Sequence, residues 1–501
     1  MRLFELLLLF SNAVTFILLL LQAPRYRLAA ALGSGTGLLA FAIHGMVEGL
    51  RWQMALSYAL TLLFCCLALY RFKQQFRVSK KTRFVWIAVS VMGVLALSLT
   101  ALLSYALPVP KLPAPTGIYP VGTQTFQWTD MGRKDPYAAD PGENRELLVQ
   151  VWYPADVKEK NTTTPLLTAD ERHMFAQRIG IPALLLDYLK FIPSHAAENA
   201  EVSAARQQYP LIIFNHGYTA SRLYHTSQAA EMASHGFIVA SIDHTYGAYA
   251  TLFPDGTVKP FQLDDDQFVH TETYRNQAGE VWSEDISFVI DQFERLDRIP
   301  TASRLDGKVD MSSIGVIGHS FGGAASYDAM LDPRVRAGIN MDGTLFGFKD
   351  HAATAKPFLF MYSEDAQEAF DLFRRAYSFT DEEFKEIGTT RAEFETEAET
   401  NLLEMKHIQD VMNDKGEAVY IAGTGHLNYS DLHFASPVLK YFGLMGKLNP
   451  DRTAEIVNQT TVQFFRQHLA KGQSGDEGPI VAMPELRDMT DFFTSAPHMI
   501  R

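Results

Sequence analysis

Ser320, Asp342 and His426 are the three side chains whose types and order along this chain support nucleophilic chemistry. A serine hydroxyl attacks a carbonyl when a base takes its proton, and the base needs an acid to fix its tautomer and to balance the imidazolium. Ser320 sits in Gly318-His319-Ser320-Phe321-Gly322-Gly323, a G-x-S-x-G pentapeptide with one more glycine, behind the apolar run Ile314-Gly315-Val316-Ile317. Small residues on both sides permit the tight strand-to-helix turn that holds a serine Oγ over a sheet edge. The spacing predicts a strand ending at Ile317 and a helix beginning near Gly323. The competing reading is a glycine-rich turn that only packs tightly.

Where such an elbow occurs, the acid and then the base follow the serine in chain order. The run Ala337-Gly338-Ile339-Asn340-Met341 stops at Asp342-Gly343, as a strand stops at its carboxyl end, and makes Asp342 the candidate acid. The next apolar run, Pro357 to Met361, is followed by Glu364-Asp365, the rival pair. The base should follow the last strand, and Glu417-Ala418-Val419-Tyr420-Ile421 leads through Ala422-Gly423-Thr424-Gly425 to His426. A neutral imidazole can take the Ser320 proton and return it to a leaving alcohol. His433 is the alternative, and His244 precedes the serine, in the wrong order.

An oxyanion hole requires backbone N–H groups, one of them from the residue after the nucleophile, here Phe321. The second should come from an earlier loop. Pro210-Leu211-Ile212-Ile213-Phe214-Asn215-His216-Gly217-Tyr218 reads as a buried strand entering a His-Gly turn, with the Tyr218 amide as donor and His216 in a structural role.

Taken together, the blocks resemble the platelet-activating factor acetylhydrolase family of the plasma and type II intracellular kind, with its bacterial relatives. Thr116 to Gly122 leading to Val151-Trp152-Tyr153-Pro154-Ala155 is similar to the opening hairpin, and Phe214-Asn215-His216-Gly217 to the oxyanion loop. Gly318 to Gly323 resembles the elbow, Asn340-Met341-Asp342-Gly343 the acid turn, and His426 to Leu432 the histidine loop. The resemblance spans about residues 113 to 470, and favours Asp342 over the later pair. It implies an α/β-hydrolase domain with a central, mostly parallel sheet, and a calcium-independent serine esterase that removes short sn-2 acyl chains from phospholipids. A charged stretch at about 367–406, rich in glutamate, looks longer than its counterpart and reads either as a lid or as a solvated helical excursion.

The first 112 residues are composed differently. Leu6–Pro24, Leu28–Val47, Trp52–Tyr70 and Phe84–Leu107 carry no Lys, Arg, Asp or Glu, and a bilayer crossing needs about 20 predominantly apolar residues. The division expected is therefore an anchor of about four transmembrane helices over residues 1–112 and a hydrolase domain over 113–501. The second stretch, with Gly33, Gly35, Gly37 and His44, is the weakest and could be re-entrant. Arg25 and Arg27 fall in the first loop, while Arg71, Lys73, Arg77, Lys80, Lys81 and Arg83 fall in the third. The positive-inside rule places both loops in the cytoplasm and the hydrolase on the extracytoplasmic face of a plasma or inner membrane. Pro108 to Pro115 serves as a stiff spacer.

Eleven basic and two acidic residues give the first 112 residues a balance of +9, so the whole-chain charge of −13 leaves −22 on the remainder. An acidic domain of this kind is repelled by nucleic acid and anionic headgroups, so nearness to lipid has to come from the spans. Gly33-Ser34-Gly35-Thr36-Gly37 has no preceding strand and reads as a helix-packing surface rather than a phosphate loop. No cofactor is implied, and no metal-ligand spacing stands out. Cys65 and Cys66 both lie in the third span. N-x-S/T triplets occur at Asn161, Asn428 and Asn458. The expected substrate is a lipid or other ester; a small soluble ester, dienelactone or polyester substrate is the alternative, and a non-enzymatic membrane scaffold or sensor a further one.

Overall fold

A computed structural model describes residues 1–21, 23–73, 83–157, 163–298, 303–347, 353–469 and 483–494. The chain divides into two compact units. One comprises Met1–Lys111, Leu167–Ile192 and Ala435–Val438, and the other Leu112–Leu166, Pro193–Phe434 and Leu439–Arg501.

The first unit is built on α1 (Leu3–Leu21), α2 (Arg27–Ile43), α3 (Ala55–Lys73) and α4 (Arg83–Ala106). Among the described residues, four helical stretches, Leu3–Leu21, Pro24–Glu48, Trp52–Lys73 and Trp86–Ala106, are long and apolar enough to cross a membrane. The second has the lowest mean hydropathy of the four, 1.4, yet it runs as one helical stretch that ends in a π turn over His44–Glu48. Gly33 and Gly37 face α1, whereas Gly35 has open space where a side chain would be. A Cβ on Gly33 would meet Thr15 Oγ1 at 2.8 Å, so α1 and α2 approach closely only because that side chain is missing.

Polar groups collect at opposite ends of these helices. At one end Arg71 donates to the Leu19 carbonyl and lies 5.1 Å from the Trp86 ring centroid. At the other, Arg51 grips the Glu5 carboxylate through Nε at 2.6 Å and Nη2 at 2.8 Å, and reaches the Leu107 carbonyl at 2.6 Å. Residues 167–192, comprising α5 (Ala169–Arg178) and the 3-10 turn Ala183–Phe191, pack at this second end. Trp52 Nε1 donates to the Leu185 carbonyl at 3.1 Å, and a Cβ on Gly49 would strike Phe191 Cε1 at 2.4 Å. Of the basic residues in the third loop, Arg77, Lys80 and Lys81 lie outside the described residues.

The second unit is a sheet of β1 (Val121–Lys134), β2 (Asn144–Asp156), β3 (Thr163–Pro165), β4 (Pro193–Glu198), β5 (Glu201–Val202), β6 (Tyr209–Asn215) and β7 (Ile238–Asp243), joined by later strands. A separate hairpin of β8 (Ala250–Leu252) and β9 (Val258–Pro260) precedes those strands: β10 (Val309–His319), β11 (Val335–Met341), β12 (Phe358–Ser363), β13 (Gly416–Ile421) and β14 (Leu486–Asp488). Among the described residues the order is β14-β13-β12-β11-β10-β6-β7-β2-β1-β4-β3, with β5 on β2. The stretch from β13 to β7 is parallel throughout. Buried parallel strands read as continuous apolar runs, as β6 does, being buried along its whole length. The helices are α6 (Thr226–Ser234), α7 (Asp265–His270), α8 (Glu272–Arg298), α9 (Phe321–Asp328), α10 (Glu364–Arg374), α11 (Asp381–Ile387), α12 (Arg391–Met412), α13 (Pro450–Leu469) and the short α14 (Thr490–Thr494); all but α7, which packs on α8, and α11, which clusters with α12, pack on the strands. The mostly parallel sheet with covering helices is the expected α/β architecture, and the glutamate-rich stretch is helical, as α10 to α12.

Two buried polar features shape this core. Arg145, wholly buried, donates to Asp135 Oδ2 at 2.8 Å and forks onto Asp285 at 3.0 and 2.6 Å. Burial works against each charge, and pairing outweighs it: the guanidinium is held above the usual arginine range and the Asp285 carboxyl below the usual carboxylate range. His225, 1% exposed, packs on Phe214 with ring centroids 4.8 Å apart, and its two ring nitrogens have no partner among the described residues. Burial, then the neighbouring His216 and His433, push it down to about 3.

An unfolded histidine takes up a proton near pH 6.5, so the unfolded chain binds one more proton than the native chain between that value and about 3. Stability from this group is therefore complete above about pH 6.5 and falls on acidification, by about 2 kcal/mol at about pH 5. His225→Phe should narrow the gap between thermal midpoints measured at about pH 7.5 and about pH 5 by about 2–3 °C, with the full chain in detergent. An unchanged gap would show that His225 is not buried neutral.

Candidate functional site

Strand β10 continues to His319, two residues past the expected end, and α9 starts at once with Phe321. The whole reversal falls on Ser320, at φ 55° and ψ −126°, a left-handed conformation that costs a non-glycine residue about 1–3 kcal/mol. Two close approaches maintain it. A Cβ on Gly318 would meet the Gly322 carbonyl at 2.1 Å, and one on Gly322 would meet the His216 carbonyl at 2.2 Å. The Ser320 amide donates to the Met341 carbonyl at 2.8 Å, tying the elbow to β11.

Asp342 lies just past β11, the neighbour of β10, at φ 57°. His426 Nδ1 is 2.8 Å from Asp342 Oδ2, and His426 Nε2 is 3.0 Å from Ser320 Oγ. With its proton on Nδ1, this imidazole presents a lone pair to the serine hydroxyl, the geometry general-base activation uses. The His426 side chain is about half exposed, with a relative accessibility of 48%, while Asp342 is at 3%. Burial alone would raise the Asp342 carboxyl; His426 and two donors from Ser363, its amide at 2.6 Å and its hydroxyl at 3.0 Å, hold it below the ordinary range.

Glu364 and the alternative histidines are engaged elsewhere. Glu364 Oε2 accepts from the Gly423 amide at 3.2 Å, and Asp365 is raised by burial and then by the nearby Asp342 charge. His433 Nδ1 donates to the Asn428 carbonyl at 2.8 Å, and His244 Nδ1 faces Asp285 Oδ2 at 3.0 Å. His216 Nδ1 donates to the Gly217 carbonyl at 2.7 Å while Nε2 accepts from the His244 amide at 3.3 Å. Pinning that carbonyl orients the Gly217–Tyr218 peptide plane, and Gly217 lies so close that its Cβ would stand 3.1 Å from Ser320 Cβ. The turn carrying Tyr218 and the first residue of α9, Phe321, thus flank the serine. The Tyr218 ring stacks on Phe268 at 3.7 Å, and the Phe321 ring lies 4.9 Å from Trp282 and 4.8 Å from Phe346.

The family model described as platelet-activating factor acetylhydrolase, isoform II, matches residues 107–479. The chain belongs to this family. Relatives include the platelet-activating factor acetylhydrolase of Cavia porcellus, 24% identical over 360 residues that make up 67% of this chain and 75% of the relative. That of Canis lupus familiaris is 25% identical over 363 residues, 67% of this chain and 74% of the relative. A probable 1-alkyl-2-acetylglycerophosphocholine esterase of Arthroderma benhamiae is 26% identical over 253 residues, 47% and 59% of the two chains. Among solved structures, a ferulic acid esterase from Streptomyces cinnamoneus superposes with a TM-score of 0.56 at 25% identity, covering 76% of this chain and 99% of that one. This member of the acetylhydrolase family is an enzyme of the carboxylic ester hydrolase class.

Three residues around the candidate site are given no role there by the sequence reading. Ser363, which holds Asp342, ends the strand next to the acid strand, so chain order could have suggested it. His319 Nε2 donates to the His426 carbonyl at 3.0 Å; burial, then His426 and His225, keep it well below the usual histidine range and so neutral. Asn428 is 1% exposed and its Oδ1 accepts from the Gly425 and Gly446 amides at 2.9 and 2.8 Å, so it braces the histidine loop rather than presenting a glycan site. Asn161 lies outside the described residues.

Among the described residues, two further groupings contain none of these side chains. A cavity of about 970 Å³, lined by Arg133, Glu280, Asp328 and Arg334 among others, contains none of Ser320, Asp342 and His426. In the helical unit, Glu5, His44 and Glu48 come within metal-binding reach of one another, a grouping invisible in their sequence spacing. Their donor atoms are engaged: Glu5 by Arg51 and Arg2, and His44 by Glu48 at 2.9 Å and Tyr58 at 2.7 Å.

Gly322→Ala should lower kcat by about 10²-fold, because forcing α9 and the Gly217 turn apart by even an ångström misaligns the attack. Steady-state kinetics on an ester that the wild type turns over will show it. An unchanged kcat would mean that the contact between α9 and the His216 carbonyl does not set the reacting geometry.

Proposed function

We propose that this chain is a membrane-anchored serine esterase that removes short acyl groups from the sn-2 position of phospholipids. The observation that carries the reading is the relay Ser320–His426–Asp342, with contacts of 3.0 and 2.8 Å, in a chain of the acetylhydrolase family. Ser320 Oγ attacks the ester carbonyl as His426 Nε2 takes its proton, and Asp342 stabilises the imidazolium. The Tyr218 and Phe321 amides receive the oxyanion, and each such donor is worth about 3 kcal/mol in serine hydrolases. Collapse expels the lysolipid alkoxide, which takes the proton from His426 and leaves an acyl-Ser320. Water, deprotonated by His426, then releases the carboxylic acid and restores the hydroxyl. No metal or cofactor enters this cycle.

The four apolar helices support the anchor, and the separation of Arg71 from the Glu5–Arg51 end supports the orientation. Residues 1–112 hold the chain in a plasma or inner membrane, and the hydrolase domain, 113–501, lies on the extracytoplasmic side, away from the basic loops. An alkaline phosphatase fused after residue 120 should be active; an inactive fusion reverses the orientation.

The solved ferulic acid esterase, covered over 99% of its length, supports a second reading as an esterase of small aromatic esters. A panel run with the full chain separates the two readings. Turnover of 1-alkyl-2-acetylglycerophosphocholine supports the phospholipid reading, whereas turnover of methyl ferulate without it supports the other.

A further inference from the structure

Helix α12 inserts a carboxyl group into the wall behind the nucleophile elbow. Glu404 is 3% exposed, and its Oε1 accepts the Leu345 amide at 2.7 Å. Leu345 and the next residue, Phe346, belong to the turn that follows Asp342. That turn starts hard against the elbow, since a Cβ on Gly343 would lie 2.1 Å from the Ser320 carbonyl. Asn340 clasps its first residue by exchanging hydrogen bonds of 2.8 and 2.9 Å with Gly343, and Asn276 holds Gly347 at 3.3 Å. Between these ends Glu404 anchors the backbone.

Phe346 is the side chain this anchoring places. Its ring lies flush on α8, where a Cβ on Gly279 would strike it at 2.0 Å, and 4.8 Å from the Phe321 ring. Phe268 and Trp282 approach the same Phe321 ring, each at 4.9 Å. The rings, buried apart from the partly buried Phe268, form an uncharged wall next to Phe321, whose amide is assigned to the oxyanion hole in the function proposed above. Such a wall matches the apolar acyl portion of an ester better than a zwitterionic headgroup.

Burying a carboxyl group to make a single backbone hydrogen bond is costly, and burial pushes this one up to about 8. An alanine or leucine would fill an ordinary helix-sheet contact at lower cost. We infer that Glu404 is a positioning residue: from α12 it fixes the Leu345–Phe346 turn, and through the Phe346 ring it sets the length of acyl chain that the esterase accepts. The inference rests on the function proposed above and places its acyl selectivity in the helices inserted between β12 and β13.

The experiment uses the full chain in detergent and p-nitrophenyl acetate, butyrate, hexanoate and octanoate. Glu404→Ala and Phe346→Ala should each change the octanoate-to-acetate ratio of kcat/KM in the same direction by about tenfold, mainly through KM. Glu404→Gln should keep the wild-type ratio, because its amide oxygen still accepts the Leu345 N–H. A Phe346→Ala ratio within about twofold of wild type overturns the inference, as does a Glu404→Gln ratio that shifts as far as that of Glu404→Ala. Should Glu404→Ala fail to fold, the other two variants decide. Wild-type protein that hydrolyses none of the esters overturns the proposed function, and this inference with it; wild-type turnover with unmoved ratios overturns this inference alone.

Discussion

Ser320→Ala abolishes ester hydrolysis, with kcat falling by about 10⁶-fold, and with it labelling by a fluorophosphonate probe. The expectation follows from what the side chain touches. Ser320 Oγ contacts His426 Nε2 at 3.0 Å, so its removal deletes the proposed nucleophile and leaves the His426–Asp342 pair intact. The fold should survive. The elbow conformation is maintained by the Gly318 and Gly322 approaches and by the Ser320 amide on Met341, none of which needs the hydroxyl. A thermal midpoint within a few degrees of wild type, together with lost turnover, assigns the loss to chemistry. Turnover within about tenfold of wild type would remove Ser320 from the reaction.

Arg145→Met destabilises the hydrolase unit by about 3 kcal/mol, the low end of the cost of breaking a buried ion pair. The substitution leaves Asp135 and Asp285 facing each other's vicinity without the cation that neutralises both. The low end applies because Arg133 still reaches Asp285 at 2.9 Å. Activity should fall as well. Asp285 orients His244, whose amide holds His216, whose Nδ1 in turn pins the Gly217 carbonyl beside the elbow. Thermal unfolding in detergent should show a midpoint about 3–5 °C lower. Adding Asp135→Asn and Asp285→Asn should restore part of the loss, since the penalty arises from unpaired buried charge. An unshifted midpoint in Arg145→Met would show that the cluster is hydrated.

Much of the candidate site was readable along the chain because its requirements are local. Gly318 and Gly322 are glycines because backbone atoms stand about 2 Å from where their Cβ atoms would be, and that demand marks the sequence within two residues of Ser320. Asp342 was placed because β11 is an apolar run that ends there, and His426 because a glycine-containing loop follows the last strand of the parallel stretch. The strand and helix limits around the elbow were off by two residues: one serine at positive φ accomplishes the turn, and no composition rule encodes that economy.

What could not be read involves partners distant in sequence. Glu404 lies among glutamates of the same type on α12, and only its contact with Leu345, 59 positions away, separates it from the solvated ones. Residues 167–192 read as part of the long C-terminal region but pack with the N-terminal helices, because Leu185 and Phe191 meet Trp52 and Gly49. Arg145, His244 and Asp285 carry no motif and are joined only when β2, the end of β7 and α8 converge.

The order of elements, the four apolar stretches, the serine elbow and the order of the candidate acid and base are properties of short segments, because strand period, bilayer length and turn sterics act over a few residues. The partners that hold Asp342 and His426, the buried charge cluster and the ring-lined wall depend on which strands and helices become neighbours. Hydrogen bonds and packing reach only a few ångströms, so those assignments exist only once the chain has folded.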